Sequence, residues 1–217
     1  MGLARRFRSL FAPLHTETRY YANYDFVRGL DLGSLSIYSK LKQAVAGRQR
    51  ILDLGCGMGY ITSFLGASGI DKNAKVIEMA KASYPDTPYR AASIEEMTEE
   101  GPKWDAVVAV NVLEHLEDPI RESFFKSIPK LLAPSGRLYV VYDSMYHPLQ
   151  LMSGLMHPGM LLSDPTHVYC WPQYKFRRLL AGAFEIESEQ GGNILSRGLP
   201  FTNRFSTAKL YVCSPKI

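Results

Sequence analysis

The sequence predicts an α/β protein: a mostly parallel sheet of seven strands with helices on both faces. Three observations carry this. Short apolar runs alternate with stretches of helical periodicity, the pattern of parallel βαβ units. The run Val107-Val108-Ala109-Val110 has no polar face, as expected of a strand covered by helices on both sides. A turn rich in glycine (Gly55, Gly57, Gly59) follows the first apolar run directly.

The elements follow in order. Ser34 is placed to cap a helix to about Ala46, with Leu35, Tyr38, Leu41, Lys42 and Val45 near helical spacing. Gly47 would end it. Strands are expected at about 50–54, 68–71, 88–91, 105–110, 137–143, 184–190 and 207–213. Between the first two, the helix Tyr60–Gly66 must be short. Asn73 is placed to cap Ala74–Ser83, and Pro85 lies past its end. Pro119 suits the first turn of a helix over Ile120–Leu132. Pro129 falls inside that helix and predicts a kink or an early stop. A further helix precedes the last two strands, with Gly191–Phe205 joining them.

A length of 217 residues fits one domain with a full core. Two segments stand apart within it: an aromatic and basic stretch at 1–33, and a Met-, His- and Pro-rich stretch at 144–171. Hydrophobic content of 46% with 21% charged residues is ordinary for a globular protein. The net charge of +4 is too mild to mark a nucleic-acid partner. Cys56, Cys170 and Cys213 are far apart, so neither a disulfide framework nor a zinc site is expected, and free thiols fit the cytoplasm. The sequence holds no run of eighteen apolar residues and no signal-peptide pattern.

The glycine turn carries the chemistry. It reads Asp53-Leu54-Gly55-Cys56-Gly57-Met58-Gly59, with Tyr60 where a dinucleotide fingerprint would place its last glycine. No Lys-Ser/Thr pair follows, so the phosphate grip of a P-loop is missing. Asp53, two residues ahead of the first glycine, suits a ligand with a cationic amine and would repel a pyrophosphate.

This turn resembles motif I of the class I S-adenosylmethionine (SAM)-dependent methyltransferases, in their small-molecule branch. Five further stretches match in order. Gly69-Ile70-Asp71 resembles the end of the second strand, and Ala92-Ser93-Ile94 the adenine-lining turn. Asn111-Val112-Leu113-Glu114-His115-Leu116-Glu117-Asp118-Pro119 is similar to the "vLEHl-dP" signature. Leu131 to Val141 and Asp164 to Ile186 are similar to the "lL-pGG-l-i" and "H…ll-aGF-i" segments. The likeness spans Arg50 to Ile186 and implies a Rossmann-like sheet with one antiparallel strand at an edge.

The resemblance implies SAM as cofactor and S-adenosylhomocysteine as product. It places Asp53, Gly55, Cys56, Gly57, Gly59, Asp71, Lys72, Ser93, Ile94, Asn111 and Val112 at the cofactor. Asp53 would meet the methionine amine, directly or through water, and orient the loop. Asp71 would hold the two ribose hydroxyls, since a carboxylate accepts both. It lies 16 residues past Gly55, short of the usual spacing of about 20. A glycine turn or a charge at a helix start would explain the same residues structurally. Ser93 stands where relatives often carry Asp.

Methyl transfer from a sulfonium needs positioning of the acceptor and, for a hydroxyl, removal of a proton. His167 and His115 are the catalytic candidates; His167 also reads as a lid anchor, and His115 reads first as a wall or hydrogen-bond anchor. His147, His157 and His167 lack ligand spacing, so no metal is expected. Met145, Met152, Met156 and Met160 suit an apolar acceptor pocket or a helical core face. Tyr20, Tyr21 and Tyr24 resemble aromatics that close over the cofactor. Residues 2–11 are basic and amphipathic, suited to a membrane surface, an active-site cover, a dimer contact or a frayed end. The expected function is methyl transfer to O or N of a small-molecule, lipid-precursor or sugar acceptor, by a monomer or homodimer. The alternative is a catalytically silent SAM-binding regulatory or interaction protein of the same fold.

Overall fold

A computed structural model describes residue 32, residues 36–101, 103–143, 171–192, residue 206 and residues 208–216. The helices are α1 (Ser36–Ala44), α2 (Tyr60–Leu65), α3 (Ala74–Ser83), α4 (Ile94–Thr98), α5 (Asp118–Leu131) and α6 (Gln173–Ala183). The strands are β1 (Ile51–Leu54), β2 (Ser68–Asp71), β3 (Tyr89–Ala91), β4 (Trp104–Val110), β5 (Leu132–Asp143), β6 (Phe184–Gly192) and β7 (Ala208–Pro215). They form one sheet in the order β3-β2-β1-β4-β5-β7-β6.

Strands β1 to β5 run parallel. The expected antiparallel member is β7, which pairs with β5 on one side and β6 on the other. It thus sits one place in from the rim, and β6 is outermost. Strand β4 splits its residues between two cores by simple alternation. Val107 and Ala109 join Phe124, Ile128 and Leu131 of α5 and Phe176 and Leu180 of α6. Ala106 and Val108 join Ile37, Tyr38 and Leu41 of α1.

Local signals explain most boundaries. Asn73 accepts from the amides of Lys75 (3.1 Å) and Val76 (3.4 Å), capping α3 as its side chain predicts. Gly47 adopts φ 82° in the turn after α1. Gly66 closes the short helix α2 with φ 68°. The expected stop at Pro129 does not occur: α5 runs on to Leu131 and β5 starts at Leu132. So near the helix end, the missing proline N–H costs one bond and does not end the helix. Among the described residues no helix is long and apolar enough to cross a membrane.

Outside the described residues lie 2–11, Tyr20, Tyr21, Tyr24, Ser34, His147, His157, His167, Cys170, the methionines at 145, 152, 156 and 160, and most of the connection from β6 to β7. Tyr142 is a core residue of β5, 1% exposed.

Candidate active site

The carboxyl ends of β1, β2 and β4 meet at the point where the sheet order reverses. In open α/β sheets that crevice takes the ligand. The turn after β1 lines it. Gly55, Gly57 and Gly59 have φ of 69°, 52° and 84°, the left-handed region that favours glycine. A side chain at Gly55 would come within 2.9 Å of Val112, so its smallness lets the loops after β1 and β4 close on each other. The amides of Gly55 and Cys56 both donate to the Ile70 carbonyl, at 2.9 and 3.0 Å, which ties the turn to β2.

Asp71 ends β2 beside this turn. Its carboxylate accepts from the Gly57 amide (3.2 Å) on one oxygen and the Asn73 amide (2.9 Å) on the other. Each oxygen keeps a further acceptor position, which fits a ligand bearing two neighbouring hydroxyls. Exposed Lys72 follows it.

Asp53 does not open into the crevice. It is 2% exposed and accepts the Thr62 hydroxyl at 2.7 Å, binding the strand to α2. Burial pushes its carboxyl up to about 7; the Thr62 bond opposes this and the Asp71 charge adds to it. So the role of orienting the loop has a structural basis. Burial likewise raises the Cys56 thiol, which points to packing and not to reactivity. The Cys56 sulfur fills the space left open by Gly69.

Ser93 caps α4: its hydroxyl accepts from the Glu96 amide (3.3 Å) and Glu96 returns a bond to the Ser93 amide (2.6 Å). That fixes the turn Ala92-Ser93-Ile94 beyond β3, with Ile94 packed on the core. Beyond β4, Asn111 has φ 51°, the non-glycine residue with positive φ among the described residues. Its side-chain oxygen is buried without a hydrogen-bond partner. Both features carry a cost, and an incoming N–H donor would relieve the second. Val112 packs on the core, and His115 sits in the 3-10 turn Leu113–His115. A buried acceptor at Asn111, a carboxylate at Asp71 and glycine turns between them fit a ligand with an ammonium and a vicinal diol, as in SAM.

On the β5 side of β4, side chains from separate elements come together. Glu114 is 2% exposed, and its charge and that of Asp143 both act on the Tyr38 phenol of α1. Burial first, then Asp143 and Glu114, push that phenol up to about 12. Tyr142 donates to the Trp171 carbonyl (2.5 Å) and accepts from its amide (2.8 Å). The Tyr142 ring stacks on Phe176 at 3.9 Å, and the Arg121 guanidinium lies 4.9 Å from the Trp171 ring centre. The end of β5 is thereby tied to the residue just before α6. These groups come from separate elements and meet through the sheet. Among the described residues no three His, Cys, Asp or Glu side chains come together as metal ligands.

Known proteins bear on this arrangement. Residues 51–136 match the family described as a methyltransferase domain. The ubiquinone biosynthesis O-methyltransferase of Rhizobium johnstonii is 34% identical over 174 residues, covering 74% of this chain and 68% of that protein. The enzyme of that name from Rhizobium etli is 36% identical over 161 residues, covering 57% of this chain and 64% of its own, just under two thirds of its length. A TehB-like SAM-dependent methyltransferase from Corynebacterium glutamicum shares the fold, with a TM-score of 0.63 at 22% identity over 94% of this chain and all of that one. The sheet, the glycine turn and these relatives agree: the chain belongs to the class I SAM-dependent methyltransferases.

Proposed function

We propose that this protein transfers a methyl group from SAM to a hydroxyl of a small molecule, best a hydroxylated aromatic quinone precursor. The observation that carries the reading is the carboxyl-edge arrangement of the glycine turn, Asp71 and the unpartnered Asn111 oxygen. The choice of oxygen over nitrogen is supported by relatives named as O-methyltransferases of ubiquinone biosynthesis.

SAM supplies a methyl group already activated on a sulfonium. The chain's own work is to hold, orient and deprotonate. Asp71 would take the ribose hydroxyls and Asn111 the methionine ammonium, with Gly55 allowing close approach. Cys56, Gly57 and Gly59 shape the turn, and Asp53 fixes its entry through Thr62. Lys72, Ser93, Ile94 and Val112 would border the ribose, adenine and methionine parts. The acceptor hydroxyl must lie about 3 Å from the methyl carbon and lose its proton to a nearby base. His115, just past Asn111, and His167, which lies outside the described residues, are the candidates. Neither needs a metal, so turnover should survive EDTA; loss restored by Mg²⁺ would overturn that part.

The test is transfer of labelled methyl from SAM to a polyhydroxylated aromatic acceptor and to its amine counterpart. Label on the hydroxyl supports the reading, and label on the amine alone overturns it. SAM binding with no transfer to either would favour the silent-protein alternative. His167→Ala should lower turnover about 10²–10⁴-fold if it is the base.

A further inference from the structure

Tyr89 lies on β3, outside the matched stretches, yet it reaches the last glycine of the loop. Its hydroxyl donates to the Gly59 carbonyl at 3.0 Å. The same carbonyl accepts the Ser63 amide at 2.9 Å, the bond that opens α2. Any side chain at Gly59 would fall on the Tyr89 hydroxyl. Gly69, directly across the β2–β3 ladder from Tyr89, is small for a related reason. A Cβ there would sit 2.8 Å from the Tyr89 ring and 2.9 Å from the Cys56 sulfur. One aromatic ring thus fills the space that two glycines leave open.

The contact extends to the other end of the loop. Thr62 holds Asp53, and the Tyr89 phenol interacts with both that hydroxyl and the Asp53 charge. Burial first raises the phenol to about 12, so it stays a protonated donor at neutral pH.

We infer that Tyr89 is a positioning residue for cofactor binding: from β3 it holds the Gly59 end of the loop in the shape that accepts SAM. The inference rests on reading the glycine turn as the cofactor site. A left-handed turn with three glycines has many accessible conformations. A ligand bound only by the correct one loses affinity in proportion to the population elsewhere. The Tyr89 hydroxyl, with the Ser63 amide, defines where the Gly59 peptide points. Thr62 and Asp53 do the same at the loop's entry.

The experiment is calorimetric titration of SAM into the wild type, Tyr89→Phe and Tyr89→Leu, with unfolding midpoints and amide exchange at 59–63. Phe keeps the packing and removes one hydrogen bond, so the Kd and KM for SAM should rise about three- to tenfold, with faster exchange at 59–63. The KM for the acceptor should not follow. Leu should weaken SAM further. Equal SAM affinity in all three proteins would overturn the inference, as would lower stability in the variants without a change in Kd. A wild type that binds no SAM would instead overturn the cofactor-site reading itself.

Discussion

The two sides of β4 are built by different means. Toward β1, β2 and β3 the crevice is lined by backbone: positive-φ glycines, the amides that hold Asp71 and a buried acid that never reaches the surface. Toward β5, β6 and β7 the sheet is packed by side chains: Tyr38, Glu114, Asp143 and the Tyr142–Trp171–Phe176 stack with Arg121. Backbone geometry suits a ligand that is always the same. Side chains can be exchanged without disturbing the strands, which suits an acceptor that differs between relatives. The difference predicts that mutations on one side change cofactor affinity and those on the other change acceptor handling.

The largest expected effect is at Gly59. Valine there would have to hold φ 84° and displace the Tyr89 hydroxyl. The left-handed conformation costs about 1–2 kcal/mol and overpacking about 1–3 kcal/mol more. SAM affinity should fall roughly 100-fold, with the sheet still folded by circular dichroism. Wild-type affinity in Gly59→Val would mean that the loop does not bind the cofactor. Asp71→Ala comes next. Losing a charged acceptor should cost about 1.5–3 kcal/mol, a fall of about 10- to 150-fold in SAM and S-adenosylhomocysteine binding by calorimetry. Tight NAD binding in place of SAM would break the comparison at its root.

On the other side, Tyr142→Phe removes both bonds to the Trp171 backbone and keeps the stack on Phe176. Two neutral bonds at about 1 kcal/mol each predict a roughly 30-fold rise in acceptor KM or fall in turnover. SAM affinity should not change. If instead SAM binding weakens and acceptor KM holds, the division of labour across β4 is wrong.

The contrast also explains what the sequence made legible. Asn73 as a helix cap, the glycine turn and Asp71 are read locally, because turn and cap chemistry lies within a few residues. The unbroken apolar run of β4 pointed to cover on both faces, and the two cores lie there. Pro129 misled because the rule for a helix interior applies weakly in a last turn. Tyr89 under Gly59, Tyr38 near Asp143 and β7 placed between β5 and β6 depend on pairing across the sheet. No spacing along the chain encodes them. Asp53 lies between these cases: its motif was visible, and its burial under Thr62 was not.

The smallest predicted effect concerns that burial. The Asp53 carboxyl is raised from 3.8 to about 7 because it is desolvated and faces Asp71, with the Thr62 bond acting the other way. A folded pKa above the unfolded one means that the native state binds more protons over this window. The stabilising contribution of protonated Asp53 is therefore full below about pH 4 and lost as the pH rises through 7. Asp53→Asn keeps a neutral acceptor for Thr62 and cannot ionise. Between pH 6 and 8 the wild-type unfolding midpoint should fall relative to that of Asp53→Asn, with the two curves diverging as the pH rises. Cys56 and Tyr89, the other groups facing Asp53, are both raised and stay neutral across this range. A bound ammonium near the loop would favour the charged carboxylate, so saturating SAM should shrink the divergence. Parallel curves without ligand would show that Asp53 is ionised throughout, and the buried side of the loop would then be as polar as the side that faces the crevice.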